Sequence, residues 1–509
     1  MDVHCNQAAL DFWEPAADFA AYPEESAEFI VPDSCPDMAR ILSADGTVCL
    51  HQCEAREGKV HLSGTVQTTV LYIPEKTQTI QSVRFNVPFQ FSESCPAECT
   101  AARALVSAEE VTARALNPRK LRIQCRLAAG ISAYRAVSLT YTTDIDAEPG
   151  LALELLPRQE SVELISSLTE QSLTCEETFP LPQNRGAVAA ILCTRPKLAV
   201  EDAKIIGTKA VVKGKCLTDV LVKYDSGICE SSALELPFSH ISETSAPQTA
   251  RLSAAGMLTA FTVESGSNED GGGELRLSFT AQLQLTAWES RELRFVADLY
   301  STAYDLSCEM QELHLPDAAE PQQRRQAAQE ALDIGFPAER VLLLTAGCGA
   351  VSVGQDASGA SELRTTLRIQ ALCQTEDGRV LTAQRSAEIV LPCPELEGED
   401  LRCRACCTEA PTAVATADGL LARVPVDFFL KPRGGRTIRC VASVRCDENA
   451  PKDPAELPSL VLRRRREGES LWAIAKAHDS TTRDILAANG CGAESELPEG
   501  LLLIPRRRA

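Results

Sequence analysis

The sequence predicts a multidomain protein in which three all-β repeat domains precede a small βααβ domain. Apolar and polar residues alternate over most of the chain, as strands with one buried face require. One sequence unit recurs three times at a spacing of about 150 residues. Only residues 460–509 change to a helical spacing of apolar residues. These three observations together define the predicted fold class.

Length and charge narrow the possible functions. The chain has 509 residues, enough for three or four domains, and a formal charge of −21. Such an acidic chain is not expected to bind nucleic acid or membrane surfaces in general. The charge is uneven, because residues 460–509 contain 9 Lys+Arg and 7 Asp+Glu, whereas the preceding residues contain 41 and 64. The C-terminal part is therefore expected to be a chemically distinct body.

The start of the chain predicts a cytoplasmic protein. "MDVHCNQAALDFWEPAADF" has neither a basic region nor an apolar run, so no signal peptide is expected. No window approaches the roughly 20 apolar residues that span a bilayer, so membrane insertion is not expected. The 21 cysteines allow two explanations. They are small buried apolar residues, or thiols that become cross-linked in an oxidised assembly.

The repeat is clearest between the stretches that begin near Asp37 and Ala187, and a weaker third copy lies about 301 residues after the first. We expect Val70, Val220 and Ala371 to occupy equivalent inward positions on three central strands. Each copy is predicted to be an all-β domain with one topology. The identities between the first two copies are Ile41/Ile191, Leu42/Leu192, Lys59/Lys209, Gly64/Gly214, Thr68/Thr218, Val70/Val220 and Leu71/Leu221.

Two local signals recur in the first two copies. Gly64 and Gly214 interrupt the long strand, which predicts a bulge or a close approach of another backbone. A proline segment follows each strand, "NVPF" at Asn86 and "ELPF" at Glu235, and we expect both to form turns.

The runs "VPDSCPDMARIL", "GKVHLSGTVQTTVLYIPE" and "NPRK" resemble the SPOCS domain, which is named for spore-coat-associated proteins of endospore-forming bacteria. The resemblance covers roughly residues 25–445 and is thinner in the third copy. It implies a role in sporulation. The expected boundaries are a first SPOCS-like β domain with the N-terminal segment at 1–150, a second at 151–310, a third and divergent one at 311–446, a linker at 447–459 and the small C-terminal domain at 460–509.

The pattern in residues 460–509 predicts two helices between two strands. Ser470 precedes apolar residues at helical spacing, so it is the expected cap of the first helix. Thr481, with Asp484 three residues later, resembles a capping box at the second helix. Asn489 and Gly490 tolerate left-handed geometry and are expected to end it. The strand candidates are "LVLRRRR" and "GLLLIP".

This C-terminal part resembles the LysM domain. The matching residues are Gly468 to Trp472, Asn489, Gly500 and Ile504-Pro505. The resemblance implies a groove for N-acetylglucosamine-containing glycans of the peptidoglycan or chitin type. The sequence departs from the family at Glu469, where aspartate is usual, and in a shorter last strand. Whether the groove meets sugar or protein stays open. The implied groove residues are Gly468, Glu469, Ser470, Leu471, Asn489, Gly490, Leu497 and Pro498.

Signals of catalysis are missing from the sequence. There is no G-x-S-x-G and no H-E-x-x-H, and none of the six histidines belongs to a recognisable nucleophile arrangement. "CRACC" at Cys403 contains one C-x-x-C, but a closed zinc site needs four well-spaced ligands. We therefore expect no catalytic residues, no metal site, no cofactor and no enzymatic activity.

These expectations favour a non-enzymatic morphogenetic scaffold of the spore coat, acting around the forespore in the mother-cell cytoplasm. The LysM part would anchor it to a coat protein or to N-acetylglucosamine glycan. The resemblance implies the ATPase of the coat's basement layer, or another coat protein, as partner. The alternative is a peptidoglycan-binding envelope lectin with the β domains as spacers. A wall hydrolase is a more distant third hypothesis.

Overall fold

The computed structural model describes residues 3–506 except 78, 183–184, 268–272, 317–321, 394–400, 408, 433, 453–457, 467 and 498–499. It is almost entirely β-structure, with 24 strands and two α-helices among the described residues. The first copy of the repeat contains β1 (Val3–Ala21), β2 (Glu24–Ile30), β3 (Met38–Arg56), β4 (Lys59–Pro74), β5 (Gln81–Ser94), β6 (Ala101–Asn117) and β7 (Lys120–Ala147).

The second copy has the longest strands, and the third copy breaks the corresponding strands into shorter ones. The second copy contains β8 (Leu153–Pro180), β9 (Val188–Ile206), β10 (Lys209–Tyr224), β11 (Cys229–Glu243), β12 (Arg251–Ser267) and β13 (Gly273–Ser301). The third contains β14 (Tyr304–Pro316), β15 (Gln322–Asp333), β16 (Arg340–Gln355), β17 (Ser361–Gln374), β18 (Val380–Pro392), β19 (Leu401–Cys406), β20 (Thr412–Ala415), β21 (Gly419–Pro432) and β22 (Gly435–Pro451).

The C-terminal elements are β23 (Leu460–Arg464), α1 (Leu471–Ala477), α2 (Thr482–Ala488) and β24 (Leu501–Pro505). The strands β23 and β24 pair antiparallel, with Leu460 opposite Pro505 and Arg464 opposite Leu501.

Each copy of the repeat contains a three-stranded antiparallel meander. The sheets are β3-β4-β5, β9-β10-β11 and β16-β17-β18. Each meander packs against the remaining strands of its copy around its own hydrophobic core. Val70, Val220 and Ala371 are fully buried in these three cores, one on each central strand. The predicted equivalence of these residues is therefore confirmed.

The copies also bury residues against one another. Leu71, Leu221 and Leu372 follow the three equivalent positions by one residue, and all three lie in a single shared cluster. Three antiparallel ribbons, β1/β7, β8/β13 and β14/β22, converge in two further clusters that take side chains from every copy. The three copies thus surround a common interior.

Polar residues join the copies beside the first shared cluster. Register places Asp45, Arg195 and Thr345 at equivalent positions, next to the partners of the three central-strand residues. The Arg195 guanidinium lies 3.7 Å from the Asp45 carboxylate and donates to the Leu344 carbonyl oxygen at 3.0 Å. One side chain of the second copy therefore contacts both neighbours.

The predicted fold class is wrong. The structure is 76% strand and 4% helix, and among the residues that it describes no separate βααβ LysM domain is evident. The largest sheet joins the first two copies, where Trp13 pairs with Ile165. The C-terminal elements share a hydrophobic cluster with Tyr300 of β13 rather than closing a core of their own. Alternation in a sequence predicts which residues are buried, but not which neighbouring unit buries them.

The predicted domain boundaries stay predictions. Strand β22 continues into the expected linker as far as Pro451, which pairs with Tyr304. The next residue, Lys452, donates its backbone N–H to the Ala303 carbonyl oxygen at 2.9 Å. Residues 453–457 of that linker lie outside the described residues.

The close backbone approach predicted at the glycines of the long strand is confirmed. The predicted proline turns are wrong, because both proline segments lie within strands. A Cβ on Gly64 would lie 2.3 Å from the Cys49 carbonyl oxygen, and one on Gly214 would lie 2.2 Å from that of Ala199. Pro88 and Pro237 lie within β5 and β11. Both strands are at the edge of their meander, where a missing N–H costs no pairing inside the sheet.

Candidate functional site

The sequence places the candidate site in residues 460–509, and the described part of this range, up to residue 506, is named the C-terminal segment. Its helices begin where the sequence predicts. The Ser470 side chain accepts a hydrogen bond from the Ala473 N–H at 3.2 Å, and the Thr481 side chain accepts one from the Asp484 N–H at 3.0 Å. Each bond satisfies an N–H that the helix itself leaves free. Leu471 and Ile474 are buried, and Trp472 is partly buried.

The turn before α1 is held by ion pairs within the segment. The Arg463 guanidinium lies 2.6 Å from the Glu469 carboxylate, and Arg465 donates to the Glu469 carbonyl oxygen at 3.1 Å. Desolvation alone would raise the pKa of Glu469, but the backbone N–H of Arg466 and the Arg463 side chain lower it. Gly468 adopts a φ of +77°, which favours glycine.

Glu494 contacts the start of α1 and was not expected from the sequence. Its carboxylate accepts the backbone N–H of Leu471 at 2.8 Å and pairs with Arg465 at 2.8 Å. An orphan N–H of the first helical turn, which a ligand could use, is therefore occupied by a side chain of the same chain.

Asn489 joins the second helix to the last strand. Its amide nitrogen donates to the Ile485 and Leu503 carbonyl oxygens, both at 2.7 Å, and its amide oxygen accepts the Leu503 N–H at 3.0 Å. The side-chain amide is thus used inside the segment. These internal hydrogen bonds account for an asparagine at this position without the need for a bound ligand.

The remaining expected groove residues are divided between core and surface. Leu471 and Leu497 are both buried in the cluster beneath the helices. Gly490 follows α2 with a φ of +69°. Pro498 lies outside the described residues. The structure therefore places Leu471, Asn489 and Leu497 in supporting roles, and whether Gly468 and Gly490 meet a ligand stays a prediction.

The second copy of the repeat supplies a surface on which α1 rests. The Trp472 indole N–H donates to the Asp298 carboxylate at 2.8 Å, and the Lys476 ammonium donates to the same carboxylate at 2.6 Å. The Tyr300 ring packs against the edge of Trp472, with ring centroids 4.8 Å apart. The Tyr300 hydroxyl donates to the Ser480 carbonyl oxygen at 2.7 Å. These contacts fix the C-terminal segment against the end of β13.

The electrostatics of this contact follow from burial and pairing. Burial by itself would raise the pKa of Asp298, but the hydrogen bonds from Lys476 and Trp472 lower it below the usual carboxyl value. Burial raises the pKa of Tyr300, and nearby carboxylates add to that shift. Asp298 is therefore held as a carboxylate and Tyr300 as a neutral hydrogen-bond donor.

A second contact lies at Asp479, between the two helices. Its carboxylate pairs with Lys452 at 2.6 Å and with Arg506 at 3.2 Å. The Lys452 ammonium also donates to the Ser301 carbonyl oxygen at 3.0 Å. The sequence predicts neither the contact at Asp298 nor the contact at Asp479, because both depend on how separate parts of the chain pack together.

One face of the two-stranded β23/β24 ribbon is open to solvent. Leu460, Leu462 and Leu501 are 53%, 58% and 60% exposed, and Arg464 is exposed beside them. Val461, Leu502 and Ile504 face the opposite way into the core of the segment. We name the exposed side, with Leu460, Leu462, Leu501 and Arg464, the ribbon face. Exposed apolar residues that cluster with a cation are typical of protein interaction surfaces.

Within the described ranges, no group of three or more His, Cys, Asp and Glu residues is placed to hold a metal ion. The same part of the chain has no helix long and apolar enough to cross a membrane.

One stretch of the chain is similar to a known protein family. Residues 37–111 match the family model described as SipL, SPOCS domain. These residues extend from just before β3 to the middle of β6 and include the whole first meander. No curated protein and no solved structure matches the chain. Over residues 37–111 the chain is therefore similar to the SPOCS domain, and that similarity points to a sporulation-related role in the spore coat.

Proposed function

We propose that the chain is a non-enzymatic scaffold in assembly of the spore coat around the forespore, and that its C-terminal segment binds a protein of that coat. The SPOCS match at residues 37–111 carries the first part of the proposal. The repeated copies support a scaffold, because three units around one interior can present several contact surfaces at fixed relative positions.

The ribbon face supports a protein rather than a sugar as the ligand. It offers three exposed leucines beside an arginine, which suits an apolar partner surface with an acidic rim. The expected glycan groove is less suited, since Glu494 occupies the Leu471 N–H and the Asn489 amide bonds within the segment. The partner class that the sequence resemblance favours is the ATPase of the coat's basement layer.

A pull-down from sporulating cells tests this proposal. Full-length protein with Leu462→Arg should recover less of the basement-layer ATPase or of another coat protein than the unchanged protein does. The matched control is Val414→Arg on β20, which alters a side chain that is 70% exposed in the third copy. Point variants are preferable to truncation, because removing the segment would expose Tyr300.

The results separate the alternatives. Equal loss in both variants, or no loss in either, contradicts binding through the ribbon face. Competition by soluble N-acetylglucosamine oligomers for the same recovery favours the envelope-lectin hypothesis. An enriched coat protein that these oligomers do not displace supports the proposal.

A further inference from the structure

Two cysteines of the third copy lie side by side. The Sγ atoms of Cys348 and Cys407 are 3.6 Å apart, close to sulfur contact distance. Cys348 belongs to β16, and Cys407 is the first residue after β19. Both side chains are partly buried and both cysteines are free thiols. A bond between these atoms would connect two strands that belong to different sheets of the same copy.

A lysine from the second copy lies at this thiol pair. Lys197 of β9 donates from its ammonium group to the Cys407 carbonyl oxygen at 2.5 Å. The hydrogen bond between the two thiols lowers the pKa of Cys407, burial opposes this shift, and the charge of Lys197 adds to the lowering. The same hydrogen bond and burial raise the pKa of Cys348. The lowered pKa favours Cys407 over Cys348 as the attacking thiol.

The backbone beside Cys348 is irregular. Its pairing with β17 shifts register between Cys348 and Val351, which leaves two residues of β16 outside the regular ladder. A bulge tolerates small movements better than a regular stretch of sheet. Formation of a sulfur–sulfur bond of about 2.05 Å requires such a movement from the present separation.

We propose that Cys348 and Cys407 form a redox-active dithiol that a low-molecular-weight disulfide oxidises to an intrachain disulfide. Cys407 loses its proton to solvent, and its thiolate attacks one sulfur of the small disulfide, whose S–S bond breaks and releases one thiolate that takes up a proton from solvent. Cys348 then attacks Cys407 Sγ in the mixed disulfide, and the second small thiolate leaves with the Cys348 proton. Two protein thiols are oxidised, and one small disulfide is reduced to two thiols.

The consequence is a covalent bond between the meander of the third copy and the strand that packs against it. It closes a loop whose ends are 59 positions apart. Lys197 places the second copy beside the same bond through the Cys407 carbonyl oxygen. The disulfide would limit local opening of the copy with the shortest strands.

Peptide mapping of the full-length protein is the primary test. The protein is treated with oxidised glutathione, free thiols are alkylated, and the digest is searched for linked peptides. Trypsin places Cys348 alone in residues 341–364 but leaves Cys406 and Cys407 together in 405–423, so fragmentation must assign the linked cysteine. A Cys348–Cys407 link as the first to form supports the proposal. A dominant link to Cys406, or a glutathione adduct on Cys407 that persists, overturns it.

Two variants test the order of events. Cys348→Ser should stop the reaction at a stable glutathione adduct on Cys407, whereas Cys491→Ser, a control in the C-terminal segment, should leave the Cys348–Cys407 link unchanged.

Lys197→Met should slow adduct formation at Cys407 by at least about threefold at neutral pH. Its control is Lys204→Met on the same strand, where the lysine pairs with Asp202 at 3.1 Å. Equal rates in both lysine variants would contradict the role of Lys197. Peptide mapping of the unchanged protein tests the disulfide even if a variant fails to fold.

Discussion

The Trp472 indole N–H lies 2.8 Å from the Asp298 carboxylate, 174 residues earlier in the chain. This bond joins a helix of the C-terminal segment to a strand of the second copy, and Tyr300 packs on the same indole. The tryptophan is therefore used to attach the segment to the body. A ligand that needed its ring would first have to separate the two.

Tyr300→Ala should loosen the C-terminal segment. The substitution removes a buried ring and the hydrogen bond to Ser480, which should cost about 3–5 kcal/mol of stability at this contact. Hydrogen exchange of α1 should become faster while the meander β9-β10-β11 keeps its protection. Tyr22→Ala, which alters a ring that is 43% exposed, is the control and should change neither. Unchanged protection of α1 would show that Tyr300 does not hold the segment.

Acidification should release the same contact. The folded pKa of Asp298 is lowered, so its stabilising contribution is present above the unfolded carboxyl pKa of about 3.9 and is lost as the pH falls through the folded value. Exchange of α1 relative to β10 should therefore rise at the acid end. In Asp298→Asn the contact should be weaker at neutral pH and should lose this dependence. A variant with the pH profile of the unchanged protein would exclude Asp298 as the titrating group.

Asn489→Ala should destabilise the C-terminal segment whether or not a ligand is present. The change leaves the N–H and the carbonyl oxygen of Leu503 without their partner, which should cost about 1–3 kcal/mol. The thermal midpoint of the segment should fall, followed by Trp472 fluorescence in a protein whose Trp13 and Trp288 are replaced by Phe. Arg483→Ala, at an exposed position of α2, is a suitable control. Loss of ligand binding in Asn489→Ala with an unchanged midpoint would instead assign the amide to a binding site.

Gly64→Ala and Gly214→Ala should each destabilise their meander by about 1–3 kcal/mol. The added Cβ would lie at 2.3 Å and 2.2 Å from a carbonyl oxygen of the neighbouring strand, and the ring of Phe89 or Phe238 closes the other side. Gly130→Ala on β7 is the control, because its Cβ would meet nothing within 4 Å. Chemical denaturation measures all three. Similar midpoints for Gly64→Ala and Gly130→Ala would contradict the close approach.

Local features were predictable from the sequence where one stretch of chain determines them. Alternation located the central strands with Val70 and Val220, and helix caps were predictable at Ser470 and Thr481. A glycine inside a strand pattern indicated a close approach at Gly64. Each of these signals depends on neighbours in the sequence or on one adjacent strand.

The contacts between distant parts of the chain were not predictable. The identity of Leu71 and Leu221 indicated a repeat, but not that both would lie in one cluster with Leu372 of the third copy. Nothing near Asp298 or Tyr300 indicated a partner so far along the chain. Asn489 was expected in the groove from the LysM resemblance, and nothing in the sequence indicated that its amide would bond to the backbone of Leu503. In each case the missing information is which surfaces meet.

The shared interior of the three copies has a consequence for how the protein can change. A ring of three identical subunits must repeat every substitution three times, so all its outer faces stay alike. In this chain the equivalent positions already differ as Asp45, Arg195 and Thr345, and the arrangement does not depend on protein concentration. The C-terminal segment contacts the second copy through Asp298. Each copy can therefore acquire a separate binding partner while the common interior is kept.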